Sequence, residues 1–526
     1  MGRSAGPYGD IFQRQYGTAT YRTCTTFSSL RQPILGILTA CLLAACAVGP
    51  DFQRPAAPGG GDSYTPAPLP AQTAAAPGPA GQAQRFLPGQ DIPAQWWTLF
   101  QSPALDQLVR GALARNPGLA SAQAALRQAD ENYRALSGRL LYPDVRAQLG
   151  ASREKNSSLE GVGGVLNLYN ASVNVSYALD VFGGNKRQLE GLQALVDYRQ
   201  YQLEATYLAL TANLVTTAIR VASLRAQLQA TGEILDAQQK QLDLIEQQFQ
   251  FGAIARATVL LQRNMVAQTR ATVPPLEKAL ALARHQMSVY AGRLPSEPGM
   301  PEFDLASLHL PRDLPVSLPS ALVRQRPDIR ASEALLQQAS AQIGVATAAM
   351  YPQFTLTGNV GALATSIPAL LHGGSSVWGV AAGLAQPIFN GGALRAERRA
   401  AVAAYEGAAA DYRATVLGAF QNVADSLRAL EADAAALQQQ AEVEALARES
   451  LALSTQQFKL GAISYLSLLD AQRTYQQARV GLVQAQAARH ADSAALFQAL
   501  GGGWWNRPAL DNVAATTTLP ARAGRD

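Results

Sequence analysis

Gln247-Gln248-Phe249-Gln250-Phe251-Gly252-Ala253-Ile254 recurs as Gln456-Gln457-Phe458-Lys459-Leu460-Gly461-Ala462-Ile463, 209 residues downstream. Tyr142-Pro143 recurs as Tyr351-Pro352 at the same offset. Arg115-Asn116-Pro117 has its counterpart in Arg326-Pro327, and Val181-Phe182-Gly183-Gly184 in Ile388-Phe389-Asn390-Gly391-Gly392. Four matches in one order at a nearly constant offset make the body of the chain a tandem duplication. The two copies are set at 96–300 and 301–503, with a tail at 504–526.

Each copy has the same internal order. A helix of about 25 residues comes first, Pro117–Leu141 and Pro327–Met350, with proline where a first turn has no N–H to lose. A β-hairpin follows, 142–182 and 351–389, and then a long helical hairpin, 184–291 and 392–500. The segments Gly184–Phe249 and Gly392–Phe458 contain no proline and would each span ~100 Å as a helix. Leu203, Tyr207, Leu210, Leu214, Ala218, Val221, Leu224 and Leu228 recur every three or four residues, which predicts a coiled-coil seam. The return helices are expected at Thr258–Ala291 and Leu466–Leu500, after turns whose glycines suit a left-handed helix end.

The hairpins carry a period of two. Val173, Val175, Tyr177, Leu179 and Val181 alternate with polar or small neighbours, as do Phe354, Leu356 and Val360. Asp144–Ser152 alternates in the same way, and Val377–Phe389 more weakly. Runs of ~9–11 residues with this period match transmembrane strands, apolar toward lipid and polar toward a lumen. A soluble antiparallel sheet is the alternative. Four strands cannot close a barrel, and an open edge in hydrocarbon leaves costly unpaired backbone groups. The barrel must therefore be shared: two copies give eight strands, three give twelve. The loops near Ser157–Asn167 and Ser366–Ser375 should face outside.

The amino terminus reads as an address. Ile34–Ala45 is a short apolar run after Arg31, too short for a permanent span, so 1–45 is expected to be a signal peptide. It ends Leu43-Ala44-Ala45-Cys46, which looks like a bacterial lipoprotein cleavage site with Cys46 as the lipidated residue; Leu38-Thr39-Ala40-Cys41 competes with it. Residues 46–95, rich in Pro, Ala and Gly, are expected to be an extended tether. All three cysteines lie in the first 46 residues, so a disulfide framework or cysteine metal site in the body is excluded. The net charge of +5 falls to +2 without the leader, too little for a nucleic-acid surface. His285, His309, His372 and His490 form no ligand motif, so no metal site is expected. No local nucleophile–base set or phosphate loop appears, and no catalytic residue is assigned.

The stretch after Cys46, Ala47-Val48-Gly49-Pro50-Asp51-Phe52-Gln53-Arg54-Pro55, resembles the mature start of the TolC-like outer-membrane efflux lipoproteins. So do the second tip, Gly461-Ala462-Ile463-Ser464-Tyr465-Leu466-Ser467-Leu468-Leu469-Asp470, and the ending Ala499-Leu500-Gly501-Gly502-Gly503-Trp504. The resemblance implies an α+β membrane protein: a homotrimeric transmembrane β-barrel to which each chain gives four strands, continued by a long periplasmic helical barrel. It implies an exit duct of a tripartite efflux pump with no enzymatic activity. No cofactor is implied beyond the lipid on Cys46. The partners would be a periplasmic adaptor, an inner-membrane transporter of the resistance-nodulation-division type and outer-membrane lipid. Leu466 and Asp470 match the gate positions, one turn apart on one helix face. Ser467 stands where TolC has a second acidic residue. Gly252, Ala253, Gly461 and Ala462 match the adaptor-docking tips. Protein or polysaccharide secretion, and an envelope-anchored coiled-coil scaffold without a pore, are the alternative functions.

Overall fold

The structure is a computed structural model that describes residues 47–56, 63–156 and 164–507. The leader, Cys41, Cys46, residues 157–163 of the first loop and 508–526 of the tail lie outside the described residues.

The described chain runs β1 (Arg85–Pro88), α1 (Pro103–Arg115), α2 (Pro117–Leu141), β2 (Asp144–Asn156), β3 (Gly164–Leu179) and α3 (Gly184–Gln250). It continues α4 (Arg256–Ala271), α5 (Val273–Tyr290), β4 (Asp313–Val316), α6 (Pro319–Gln325) and α7 (Pro327–Ala348). It ends β5 (Gln353–Ala364), β6 (Ser376–Ala385), α8 (Ala393–Lys459) and α9 (Tyr465–Ala499). From α1 to α5 and again from α6 to α9 the order is the same.

Local chemistry sets the boundaries. Asn116 caps α2 by accepting the Leu119 N–H at 3.1 Å, with Pro117 in the first turn. The strand-to-helix corners before α3 and α8 turn at Gly183 (φ +75°) and Gly392 (φ +86°), a region a side chain disfavours. The Asp180 carboxylate then accepts the free N–H groups of Asn185 and Lys186 at 3.0 and 2.8 Å. α3 and α8 are 67 residues each, ~100 Å at 1.5 Å per residue. Of the expected seam, Leu210, Leu214, Ala218, Val221 and Leu224 are buried in the main core cluster.

Three expectations need correction. The first return helix, expected unbroken over Thr258–Ala291, is divided at Thr272. Pro274 and Pro275 lack N–H groups, so a continuous helix would lose two ladder bonds there. α9 has no proline and stays whole. The strands also differ from their expected limits: β3 starts at Gly164 because the hairpin keeps pairing, Lys155 opposite Val165. β6 stops at Ala385, short of Phe389, because Pro387 cannot donate to a ladder.

The third correction concerns the tether. Residues 63–95 are not a free linker: β1 pairs in parallel with β4, and Phe86 and Gln84 are buried. Arg489 of α9, fully buried, donates to the Ala80 and Gln82 carbonyls and to Thr73 Oγ1 and Gln84 Oε1, at 2.7–3.1 Å. Few large apolar residues mark this segment, because polar pairing with Arg489 holds it down. Residues 47–56 are docked as well. Arg187, buried on α3, reaches Asp51 at 2.6 Å and Glu190 at 2.8 Å, and Phe52 packs against the cluster of Ile329, Leu336 and Tyr412.

Trp96, Trp97 and Phe100 form the adjoining aromatic core, Trp96 lying 5.5 Å from Phe497 between ring centres. The Gly501-Gly502-Gly503 run closes it. A Cβ on Gly502 would fall 2.4 Å from Leu208 Cδ1, and one on Gly503 2.4 Å from the Ile92 carbonyl. His490, also buried, sits between the Gln486 and Leu308 carbonyls at 2.9 Å, and burial lowers its pKa below the ordinary imidazole value.

Candidate functional site

The four-stranded sheet has the order β2-β3-β5-β6 and is antiparallel throughout. Residues directly opposite one another share a face, so the register sorts the side chains. One face carries the rows Val145–Val175–Gly358–Val380 and Ala147–Val173–Val360–Trp378. Tyr177–Leu356–Ala382 and Leu179–Phe354–Leu384 continue it toward the helices. The other face carries Asp144–Ser176–Thr357, Arg146–Asn174–Asn359 and Gln148–Ser172–Gly361. Val145, Leu149, Trp378 and Val380 are exposed, uncovered by the described residues of the chain. So broad an apolar surface marks a membrane or protein contact, and the paired polar face suits an aqueous lumen. The apolar positions give way to Arg153 and Lys155 at the far end of β2, where long basic side chains can reach head groups.

At the opposite end of the molecule the two helical hairpins finish side by side. Gly252 (φ +72°) and Gly461 (φ +73°) end α3 and α8 in identical caps. The Ala253 N–H reaches the Gln248 carbonyl at 2.9 Å, and that of Ala462 the Gln457 carbonyl at 2.9 Å. All four tip residues expected from the sequence are exposed at these turns. Phe251 and its counterpart Leu460, 87% and 84% exposed, form the apolar apex of each turn. The repeated octapeptide contained both, but only the folded turn reveals that neither is core.

Leu466 and Asp470 lie exposed on the first turns of α9. Asp470 is not a bare carboxylate: Arg473 donates to it at 2.5 Å along the same helix. Next to Leu466, Tyr465 turns inward, is buried, and its hydroxyl donates to Gln262 Oε1 of α4. Gln262, fully buried, donates in turn to the Gln238 carbonyl of α3 at 2.8 Å. Burial raises the Tyr465 pKa, so the phenol keeps its proton. This relay ties the second hairpin to the first, within the cluster of Leu242, Ile245, Val259, Leu468 and Leu469. Sequence reasoning passed over it because tyrosine and glutamine at a tip carry no motif; only their burial marks them.

Residues 108–293 and 318–502 match the family of outer membrane efflux proteins, one match on each repeat. The chain belongs to the outer membrane efflux protein family. It is 30% identical over 494 residues to the toluene efflux pump outer membrane protein TtgC of Pseudomonas putida, covering 92% of this chain and 98% of that one. It is 31% identical over 480 residues to the pyoverdine export outer membrane protein OpmQ of Pseudomonas aeruginosa, covering 89% and 97%. The solved structure of the outer-membrane channel OprN superposes with a TM-score of 0.79 at 27% identity, covering 87% of this chain and all of OprN. This efflux protein is thus an outer-membrane efflux channel, as the sequence resemblance implied.

Among the described residues of the efflux protein, no group of three His, Cys, Asp or Glu side chains is placed to hold a metal ion. Its most perturbed carboxyl lies far from the tip in sequence, on α9. Burial, with a hydrogen bond and the charge of Asp433, pushes Asp492 up to about 8. Beside it, burial lowers the pKa of Arg489 to about 10, against the opposing pull of Asp492 and Asp433.

Proposed function

We propose that three copies of this chain close a twelve-stranded barrel in the outer membrane and a helical tube beneath it. Together they form the exit duct of a tripartite pump that expels small molecules. The observation that carries this reading is the two-faced sheet. Its apolar rows need lipid and its polar rows need water, and both outer strands, β2 and β6, have an unpaired edge. An unpaired edge in hydrocarbon costs several kcal/mol per group, which closure between copies removes.

In this reading a lipid on Cys46 anchors the chain, supported by the Leu43-Ala44-Ala45-Cys46 sequence and by the docking of residues 47–56. The turns at Gly252, Ala253, Gly461 and Ala462, with Phe251 and Leu460 at their apices, receive a periplasmic adaptor. An inner-membrane transporter of the resistance-nodulation-division type supplies the energy. Leu466 forms an apolar ring at the tip, and Asp470 with Arg473 a ring of ion pairs below it. The Tyr465–Gln262 bond holds each α9 against its neighbour hairpin and so keeps the tip shut.

Mass measurement of the detergent-extracted protein, with labelling by radioactive palmitate, tests the assembly and the anchor. A mass of three chains and label lost on Cys46→Ser are expected. A monomer in a sealed outer-membrane fraction would refute the duct, and label persisting on Cys46→Ser would move the anchor to Cys41.

A further inference from the structure

The two repeats differ where the sheet meets the long helices. α3 and α8 start after the matching corners Gly183 and Gly392 and are 67 residues each, so matching positions lie 209 apart. At the start of α3 a carboxylate and a chain segment cover one face. The Asp180 carboxylate accepts the first free N–H groups, those of Asn185 and Lys186. The Val48 N–H donates to the Phe182 carbonyl at 3.0 Å. Arg187 donates to the Val48 and Gly49 carbonyls at 3.3 and 3.4 Å and to Asp51 at 2.6 Å. Cys46 stands two residues before Val48 in the sequence. A segment tethered to lipid runs along the outside of a duct, so the face of α3 that carries Lys186, Arg187 and Glu190 points outward.

α8 has none of this cover. Gly392 supplies no side-chain cap, and the first turn holds no acidic residue. The positions that match Lys186, Leu189 and Glu190 are Arg395, Arg398 and Arg399, and Ala396 replaces the clamping Arg187. All three arginines are exposed, and none forms an ion pair among the described residues. Spaced i, i+3 and i+4, they share one face. Glu397 lies about 200° round the helix from both Arg395 and Arg399. At 1.5 Å per residue the three stand ~5–11 Å below the corner, within side-chain reach of a head-group layer ~5–8 Å thick. Above them Leu384, on the apolar face of the sheet, and Ile388 are 63% and 96% exposed.

We propose that this surface binds the phosphate of an anionic glycerophospholipid from the periplasmic leaflet, with the acyl chains along Ile388 and Leu384. The arginines supply charge-assisted hydrogen bonds, and the uncapped start of a long helix adds free N–H groups and the positive end of its dipole. A free phosphate ion would meet the same donors but leave the adjoining apolar side chains uncovered, so an amphiphile is the fitting occupant. The chain's own lipid-bearing segment fills this level on the first repeat, and a membrane lipid fills it on the second. This rests on the barrel and anchor proposed above, which put the foot of the sheet at the periplasmic membrane surface.

Native mass spectrometry of the full-length protein in detergent tests this, with dioleoyl phosphatidylglycerol, dioleoyl phosphatidylcholine and inorganic phosphate as probes. One phosphatidylglycerol per chain is expected, at least roughly tenfold tighter than phosphatidylcholine. Arg395→Gln, Arg398→Gln and Arg399→Gln together should weaken it roughly 100-fold. Oligomer mass and melting temperature should stay as they were, because all three side chains are exposed. Arg153→Gln with Lys155→Gln, at the far end of the sheet, should leave binding unchanged. An equal loss in that control, or full binding by the triple variant, would reduce the effect to general charge attraction and overturn the site. Capture of inorganic phosphate without lipid would also overturn it. No lipid on a protein of oligomer mass would show that another copy neutralises the arginines, overturning the inference and leaving the ring. Selective lipid binding by a protein of one-chain mass would keep the site and remove the ring.

Discussion

Replacing Tyr465 with Phe removes one hydroxyl and leaves the ring that packs against Phe458 at 5.2 Å between centres. The lost bond strands Gln262 Oε1, whose residue is fully buried at the junction of α4 and α9. An unsatisfied buried acceptor costs about 1–3 kcal/mol. Opening the tip would swing α9 away from the first hairpin and let water reach Gln262, so the cost falls on the closed state alone. The open-to-closed ratio should then rise by about 5- to 150-fold for each copy, and more steeply if the copies open together. Single-channel recording in a planar bilayer reads this directly as open time, with thermal unfolding measured alongside. Longer open times are expected, with a melting temperature lowered by no more than the cost to the closed state. An unchanged open probability with a lowered melting temperature would show that the bond survives opening, and would refute the lock.

Other consequences are as concrete. Asp470→Ala leaves the Arg473 guanidinium unpaired in every copy, so residual cation current through the closed tip should fall; unchanged ion preference would remove both residues from the pore. Asp492 has its carboxyl pKa raised from 3.8 to about 8 in the folded chain, so its protonated form is the one the fold prefers. Its contribution is fully present below pH ~4 and is lost as pH rises toward 8. Asp492→Asn should therefore flatten the fall in melting temperature between pH 5 and 8, and an unchanged slope would contradict the assignment. Arg489→Met strips four acceptors of their buried donor, at a cost of roughly 3 kcal/mol. Limited proteolysis should then cut within residues 63–95 before the helices, and resistance equal to that of the parent would refute the staple.

The repeat, the strand periodicity and the proline-free helices were legible because each rests on a local rule repeated over many residues. Gly252 and Gly461 could be placed at helix ends for the same reason. What the sequence did not disclose depends on long-range pairing. Arg489 looks like any helical arginine until the chain folds residues 73–84 over it. Tyr465 and Gln262 lie 203 residues apart, and no spacing rule connects them. The break at Thr272 is legible in Pro274-Pro275, which a single return helix over Thr258–Ala291 does not take into account. Asp470 shows the converse: the resemblance marks it as a gate position, while Arg473, three residues on along the same helix face, is a partner that helix spacing alone makes legible.

The central claim is a closed, gated pore made from copies of an open sheet. Single-channel conductance of the purified oligomer in a planar bilayer tests it most directly. The account predicts small, mostly closed currents that become large and long-lived in the Tyr465→Phe protein. A folded oligomer that passes no current, with or without Tyr465→Phe, would contradict it.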